Sequence, residues 1–189
     1  MKWQRPALLW TAVLAAGLGL WAGHRLAPAP APAAPEAVPA APAVAAAAPA
    51  LQVGDSLPTL SLPDLEGRAL DLRQRFAGRP LLINVWASWC APCVEEMPEL
   101  ARFAHAQGDN GVQVLGLALD TPEDVRRFLQ QVPVDYPIVI ETPGPRDASV
   151  QLGNTQGLLP YSVLFDAQGR LVKAKLGPFA HGEIDSWVK

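Results

Sequence analysis

Both cysteines of the chain, Cys90 and Cys93, lie in a single pentapeptide with the sequence WCAPC. A largely apolar run, residues 81–86, stands shortly before them, and the residues that follow have the spacing of a helix. The pair is therefore predicted to lie at a strand-to-helix turn, where unpaired N–H groups and the helix dipole favour negative charge on the first sulfur. A thiolate should form there more readily than on a free cysteine, and the second thiol can resolve a mixed disulfide on the first.

Three other roles compete for such a pair. A purely structural disulfide would close a very short ring and stabilise the fold by only about 2 kcal/mol. Zinc would need two more ligands, and the three histidines, His24, His105 and His181, have no Cys/His spacing typical of a zinc site. Two buried, inert thiols are disfavoured because the Ala-Pro turn between them should keep the pair at the surface. Dithiol/disulfide exchange is the favoured interpretation.

The residues around the cysteines carry a resemblance to a known superfamily. The segment NVWASWCAPC, residues 84–93, resembles the active-site strand and turn of thioredoxins. Its continuation VEEMP is similar to the envelope branch, the TlpA, ResA and CcmG/DsbE proteins, which carry a glutamate at the position of Glu96 and a proline at that of Pro98. The resemblance covers residues 51–189. It implies an α/β, thioredoxin-like fold, a central mixed sheet flanked by helices, with an added N-terminal β-hairpin.

The same resemblance implies a substrate-binding edge beside the cysteines. Pro160 stands where these folds place a cis-proline that faces the pair, which would leave the backbone of Leu159 free to bind an extended substrate segment. Trp89 would shape the site from the other side. Leu158 replaces a common glycine and Tyr161 a small hydroxyl residue, so substrate specificity is not carried over from the family.

Glu96 is predicted to handle the proton of the reaction. Thioredoxins have a buried aspartate on the active-site strand, at the position of Asn84, which cannot titrate. Cys90 is assigned as the attacking nucleophile and Cys93 as the resolving thiol, which needs a base. A partly buried Glu96, one helical turn after Cys93, would have a raised pKa and could serve. The alternative is a solvated charge at the start of the helix.

Charge excludes one class of partner. The chain has 15 Lys+Arg and 18 Asp+Glu, a net charge of −3, and shows no basic block, so nucleic acid is not expected to bind. No metal or cofactor is implied either. Glu95 and Glu99 are interpreted as carboxylates that complement the N-terminus of the helix after the cysteines.

The first fifty residues differ in composition from the rest. Residues 1–26 have a positive start followed by 18 uncharged residues, 6–23, and are predicted to be a membrane anchor, with a cleaved signal peptide as the alternative. Residues 27–50, with 14 Ala and 7 Pro, are predicted to be a semi-rigid linker. Basic residues at the start place the N-terminus in the cytoplasm and residues 51–189, the thioredoxin-like domain, on the periplasmic side of the inner membrane.

Strands and helices are predicted to alternate along the domain. The sequence predicts a hairpin at 57–62 and 68–72, a strand at 81–86, a helix at 93–107, a strand at 112–119, a helix from Thr121, a strand at 137–141, an irregular or briefly helical stretch at 147–152, a hairpin at 162–166 and 171–176, and a last helix at 181–189.

These features predict an envelope thiol:disulfide oxidoreductase that reduces protein disulfides, in cytochrome c maturation or a similar process. Its partners would be protein disulfides and an upstream dithiol donor. A peroxiredoxin-type peroxidase is the alternative enzyme, although such enzymes carry a Pro-x-x-x-Thr/Ser-x-x-Cys setting and Trp86 stands four residues before Cys90 here. A non-enzymatic metal- or client-binding module is the other alternative, disfavoured for copper because Met97 is the lone methionine near the motif.

Overall fold

The computed structural model describes residues 51–108 and 110–189. The predicted anchor and linker, residues 1–26 and 27–50, lie outside this part of the chain and stay predictions. Within the described residues, no helix combines the length and the apolar character needed to span a bilayer.

Seven strands and five helices are described. The strands are β1 (Ser61–Pro63), β2 (Ala69–Asp71), β3 (Leu81–Trp86), β4 (Gln113–Leu119), β5 (Ile138–Glu141), β6 (Tyr161–Phe165) and β7 (Leu171–Leu176). The helices are α1 (Leu72–Arg75), α2 (Ala91–Ala106), α3 (Pro122–Leu129), α4 (Ala148–Gln151) and α5 (Glu183–Trp187).

A five-stranded mixed sheet in the order β5-β4-β3-β6-β7 forms the centre of the domain. β3 pairs in parallel with β4, and β4 with β5, whereas β6 is antiparallel to both β3 and β7. β1 and β2 form a separate antiparallel hairpin, joined to β5 by a bridge between Asp64 and Val139. The predicted α/β, thioredoxin-like fold with an added N-terminal hairpin is confirmed.

The two faces of the sheet bury different side chains, because side chains alternate along a strand. On β3, Ile83 and Val85 belong to the apolar cluster that includes the N-terminal hairpin, and Leu82 and Trp86 to the cluster that includes α2. Asn84 lies between the latter two in the alternation and therefore faces α2, with 1% of its surface exposed. A polar side chain is thus buried beneath the helix that follows the cysteines.

Local capping explains where the helices begin. The predicted start of α3 is confirmed, since the Thr121 hydroxyl accepts a hydrogen bond from the Asp124 N–H and a proline follows the cap. Residue 72, predicted to end a strand, instead begins α1 because the Asp71 carboxylate accepts from the Gln74 N–H. The helix after the cysteines begins at residue 91, two residues earlier than predicted, with Cys90 as its N-cap.

Candidate active site

The cysteines lie between the end of β3 and the start of α2, as the sequence predicted. They form a disulfide with a Cα–Cα distance of 5.3 Å. The turn is exposed at Trp89, 70% accessible, and at the two residues between the cysteines, but the cysteines themselves are covered. Cys90 keeps 6% of its surface exposed and Cys93 none, so a reaction partner has access to the first cysteine only.

Asp120, at the end of the neighbouring parallel strand, fixes the loop that leads into the cysteines. Its Oδ2 accepts hydrogen bonds from the Ser88 N–H at 3.0 Å and the Ser88 hydroxyl at 2.6 Å, and its Oδ1 accepts from the Thr121 N–H at 2.8 Å. Sequence reasoning missed this residue. The available signal was its place directly after a buried strand that pairs in parallel with β3, because such strand ends meet at one edge of a sheet.

Glu96 is buried beneath the active-site turn, with 2% of its surface exposed. Its Oε1 accepts from the Asn84 Nδ2 at 2.8 Å and its Oε2 from the Phe179 N–H at 2.7 Å. Burial raises the pKa of this carboxyl to about 7, although the two hydrogen bonds and the charge of Lys175 lower it. The predicted burial and raised pKa of Glu96 are therefore present, while its role in proton transfer stays a prediction.

The interpretation of Glu99 as a carboxylate that complements the N-terminus of α2 is wrong, because the first turn of α2 contains no acidic residue. Glu99 lies past the first turn of α2, is 8% exposed and is bound by the Arg102 guanidinium at 2.7 Å and the Gly182 N–H at 2.8 Å. The hydrogen bond from Arg102, aided by that from Gly182, lowers the pKa of Glu99 to about 2 against the effect of burial. Glu96 and Glu99 thus both hold the segment before α5 against α2, through the N–H groups of Phe179 and Gly182.

Pro160 follows a cis peptide bond with Leu159, as predicted. The pairing of Val85 with Tyr161 places Pro160 beside the end of β3, where the chain leaves for the cysteines. Leu159 is half-buried and packs against the apolar cluster that contains both cysteines, and Leu158 is 48% exposed. Of the two departures from the family pattern, only Leu158 faces solvent, because Tyr161 is buried in the cluster on the opposite face of the sheet.

Asn154 is a second residue that the sequence did not indicate. It is 3% exposed, and its side-chain amide brackets the backbone of Leu158, accepting from the N–H at 3.2 Å and donating to the carbonyl at 3.0 Å. Among the described residues, the N–H and carbonyl groups of Leu159 have no hydrogen-bond partner. The loop before Pro160 is therefore held in place from one side and open on the other.

Comparison with known proteins decides the family. Residues 52–187 match the Redoxin family. The chain belongs to the Redoxin family. The thiol-disulfide oxidoreductase ResA of Geobacillus thermodenitrificans is 31% identical over 135 residues, which cover 70% of this chain and 74% of that protein.

Solved structures agree with this assignment. A thioredoxin-related protein from Neisseria meningitidis serogroup B is 32% identical with a TM-score of 0.60, covering 67% of this chain and 95% of the other. A protein from Chlorobium tepidum, described as a candidate thiol:disulfide interchange protein DsbE, is 26% identical with a TM-score of 0.61, covering 73% and 96%. This Redoxin protein is a thiol-disulfide oxidoreductase of the TlpA/ResA/CcmG type.

Within residues 51–108 and 110–189, no group of three or more His, Cys, Asp or Glu side chains is arranged to hold a metal ion. The described part of the site offers the cysteine pair and the buried carboxyl beneath it as its reactive groups.

The raised pKa of Glu96 predicts that the oxidised Redoxin protein loses stability as the pH rises from about 4.5 to about 7. In this window the folded protein holds a proton on Glu96 that the unfolded chain has released, so a higher pH favours unfolding. The pKa shift corresponds to a decrease in the free energy of unfolding on the order of 3 kcal/mol. Urea unfolding at about pH 5 and about pH 8 measures it.

Glu96→Gln should remove most of this pH dependence, because glutamine does not titrate. Glu95→Gln is the matched control, since Glu95 lies next to Glu96 on α2 but is exposed. If the free energy of unfolding changes by the same amount between the two pH values in wild type and in Glu96→Gln, Glu96 titrates alike in the folded and unfolded states.

Proposed function

We propose that this Redoxin protein is a reductase of protein disulfides on the periplasmic side of the membrane. The observation that carries the proposal is the buried carboxyl of Glu96, one helical turn after Cys93, in a site where only Cys90 is accessible. This arrangement separates a nucleophile that meets the client from a second thiol and a proton acceptor that do not. A role in cytochrome c maturation, or in a similar process that reduces envelope disulfides, is part of the proposal.

In the first step, the Cys90 thiolate attacks one sulfur of a client disulfide. A Cys90–client S–S bond forms, the client S–S bond breaks, and the other client sulfur leaves as a thiolate that takes a proton from solvent. The position of Cys90 as the N-cap of α2 favours its thiolate, because the helix dipole favours negative charge at this end of the helix.

In the second step, Cys93 resolves the mixed disulfide. The Glu96 carboxylate takes the proton of the Cys93 thiol, and the resulting thiolate attacks Cys90, so the Cys90–Cys93 disulfide forms and the client leaves as a thiolate. Two electrons pass to the client, which becomes a dithiol, and the enzyme is oxidised. An upstream dithiol donor then returns the pair to its reduced form, and Glu96 releases its proton to solvent.

The client would bind along the edge formed by Trp89 and the loop before Pro160. Trp89 and Leu158 expose 70% and 48% of their surfaces, which suits apolar side chains of an extended segment. The unpaired backbone groups of Leu159 would hydrogen-bond to that segment in the manner of strand addition. Leu159 and Pro160 thus set the position of the scissile disulfide relative to Cys90.

The reduction potential distinguishes a reductase from an oxidase. A strong oxidant of this superfamily gains its power from a stabilised reduced form, and an ionised Glu96 acts the other way because it disfavours thiolates nearby. We expect a potential more negative than about −200 mV at neutral pH. Equilibration with glutathione or dithiothreitol buffers, followed by alkylation and gel separation, measures it. A potential close to about −120 mV, the value of a dedicated oxidant, would contradict the assignment as a reductase.

The proposed location depends on residues 6–23. If they anchor the protein, it should fractionate with membranes, resist carbonate extraction and keep its N-terminus. A soluble envelope form that begins near residue 34 would show that a signal peptide is cleaved instead. Recovery of the full chain in the cytoplasmic fraction would contradict both versions of the proposed location.

A further inference from the structure

Three polar side chains form a cluster between β3, β6 and α2 that is sealed from solvent. Asn84, Glu96 and Ser162 expose 1%, 2% and 0% of their surfaces. The Asn84 Nδ2 donates both of its hydrogens within the cluster, to Glu96 Oε1 at 2.8 Å and to Ser162 Oγ at 3.1 Å. Asn84 is therefore the centre of the cluster, in contact with both of its other members.

Two groups in this cluster are left without a partner. The Asn84 Oδ1 is buried and accepts no hydrogen bond from the described residues. The Ser162 hydroxyl accepts from Asn84, but its own proton has no acceptor among the described hydrogen bonds. Buried polar groups are rarely left unpaired, because each loses its bonds to water without replacement. An orphaned acceptor and an unused donor on neighbouring side chains indicate that the cluster has a second arrangement.

The arrangement in the structure suits an ionised Glu96. Both of its oxygens accept, from the Asn84 amide and from the Phe179 N–H, so neither bond provides an acceptor for a carboxyl proton. A half-turn of the Asn84 amide exchanges its oxygen and nitrogen. The oxygen then faces the carboxyl and the Ser162 hydroxyl, and it accepts one O–H from each. In this second arrangement, which suits a protonated Glu96, the amide oxygen and the Ser162 hydroxyl are both paired, while the two Nδ2 hydrogens take the position in which Oδ1 has no partner now.

We propose that Asn84 and Ser162 are positioning residues for proton transfer at Glu96: the Asn84 amide turns over when Glu96 gains or loses a proton, donating to the carboxylate and accepting from the acid. Ser162 serves both orientations, since a hydroxyl can accept from the amide nitrogen and donate to the amide oxygen. The inference rests on the proposed role of Glu96 as the base for Cys93. It explains how a buried carboxyl can change its protonation state while the strands and α2 stay in place.

The charged surroundings of Glu96 are consistent with such a switch. Lys175 on β7 lowers the pKa of the carboxyl and Glu183 at the start of α5 raises it, and these two side chains bind each other at 2.8 Å. Tyr136, whose hydroxyl is buried, feels the charge of Glu96 from the side of β5. Cys93 lies one turn before Glu96 on α2. The amide of Asn84 is the group in contact with the carboxyl that can exchange a donor for an acceptor.

The orientation of the Asn84 amide can be followed directly in the oxidised wild-type protein, where the cysteines do not titrate. With 15N and 13C labelling, we expect cross-relaxation between the Asn84 Nδ2 hydrogens and the Ser162 β-hydrogens at high pH. This cross-relaxation should disappear as the pH falls. Its loss should have the same midpoint as the titration of the Glu96 carboxyl carbon shift. If the contacts and the chemical shifts of the Asn84 amide stay unchanged across that titration, the inference is overturned. The experiment needs no substitution.

Glu96→Gln should hold the Asn84 amide in a single orientation. Its side-chain amide can donate to Asn84 Oδ1 as the protonated acid would, so Asn84 should show its low-pH orientation at every pH. Ser162→Ala removes the hydroxyl that serves both orientations and should weaken the coupling, whereas Ser162→Thr, which keeps a hydroxyl, should restore it. Asn84→Leu should raise the midpoint of the Glu96 titration, and the pH optimum of mixed-disulfide resolution with it, by about one unit.

The outcomes separate this inference from the proposed function. If Glu96→Gln slows disulfide reduction but the Asn84 amide of the wild-type protein keeps one orientation across the Glu96 titration, Glu96 is the base and the switch is wrong. If Glu96→Gln leaves disulfide reduction unchanged, the proposed base is wrong, and with it the catalytic purpose of the switch. A pH profile of Asn84→Leu that coincides with wild type would also overturn the positioning role.

Discussion

Replacing Cys90 by serine should reduce disulfide exchange to the uncatalysed rate, whereas replacing Cys93 by serine should stop the reaction at a mixed disulfide. The reason is the accessibility of the two sulfurs. Cys90 keeps 6% of its surface exposed and caps α2, but Cys93 is fully covered, so a client disulfide can reach the first cysteine only. An alcohol at position 90 is too weak a nucleophile to replace a thiolate at neutral pH. Alkylation of the reduced protein with iodoacetamide at neutral pH should accordingly modify Cys90 and leave Cys93 largely protected.

Mixed disulfides are the decisive measurement for these roles. Cys93→Ser should accumulate reductant-sensitive adducts with client proteins, visible off the diagonal in a redox gel, and Cys90→Ser should accumulate none. The double variant is the control for adventitious oxidation. Equal alkylation of both thiols, or adducts that form through Cys93, would contradict the assignment of nucleophile and resolving thiol.

Glu96→Gln should have two opposite effects, and their combination identifies the base. Ionised Glu96 disfavours thiolates nearby, so its removal should speed alkylation of Cys90 at neutral pH by a few-fold. The same change removes the proposed acceptor for the Cys93 proton and should slow resolution of the mixed disulfide by roughly 100-fold, the lower range for general base catalysis. Alkylation quenched at timed intervals measures the rate at Cys90. Single-turnover reduction of a client disulfide measures the rate of resolution.

Glu95→Gln is the matched control, because Glu95 precedes Glu96 on α2 but points about 100° away around the helix and is exposed. It should leave both rates close to those of wild type. If Glu96→Gln also behaves like wild type, Glu96 is not the base. A fall in both rates would indicate damage to the fold, since Glu96 also binds the Phe179 N–H and holds the segment before α5.

Much of the site could be predicted because its residues are adjacent in the sequence. Cys90, Cys93 and Glu96 lie within seven positions, and helix geometry alone sets the spacing of the last two. The strand before them is recognisable by its apolar content, and the capping residue Thr121 marks the start of α3. The role of Pro160 was predicted from the resemblance to thioredoxins, because the local sequence alone does not distinguish an active-site cis-proline from an ordinary proline before a strand.

Glu99 was misinterpreted for the opposite reason. Its place early in a helix favours a carboxylate that complements the helix N-terminus, but Arg102 and the Gly182 N–H bind it, and Gly182 is 83 residues away in the chain. Asp120 was missed because it acts on Ser88, 32 residues away in the chain, and only the fold brings the two together. Such a contact has no periodicity or spacing that a sequence could reveal. Asn154 is a different case, because it binds Leu158 four residues later within the same loop.

By itself, the sequence determined the chemistry of this protein: a dithiol at a helix start, a carboxyl one turn later and a sheet strand leading into both. Local hydrogen bonds and helical spacing act over a few residues, so they are readable from the order of the residues. Tertiary structure alone decided which of these groups are covered from water and what they touch. The burial that raises the pKa of Glu96 to about 7 needs β3, β6, α2 and the segment at Phe179 in one place, and long-range packing puts them there.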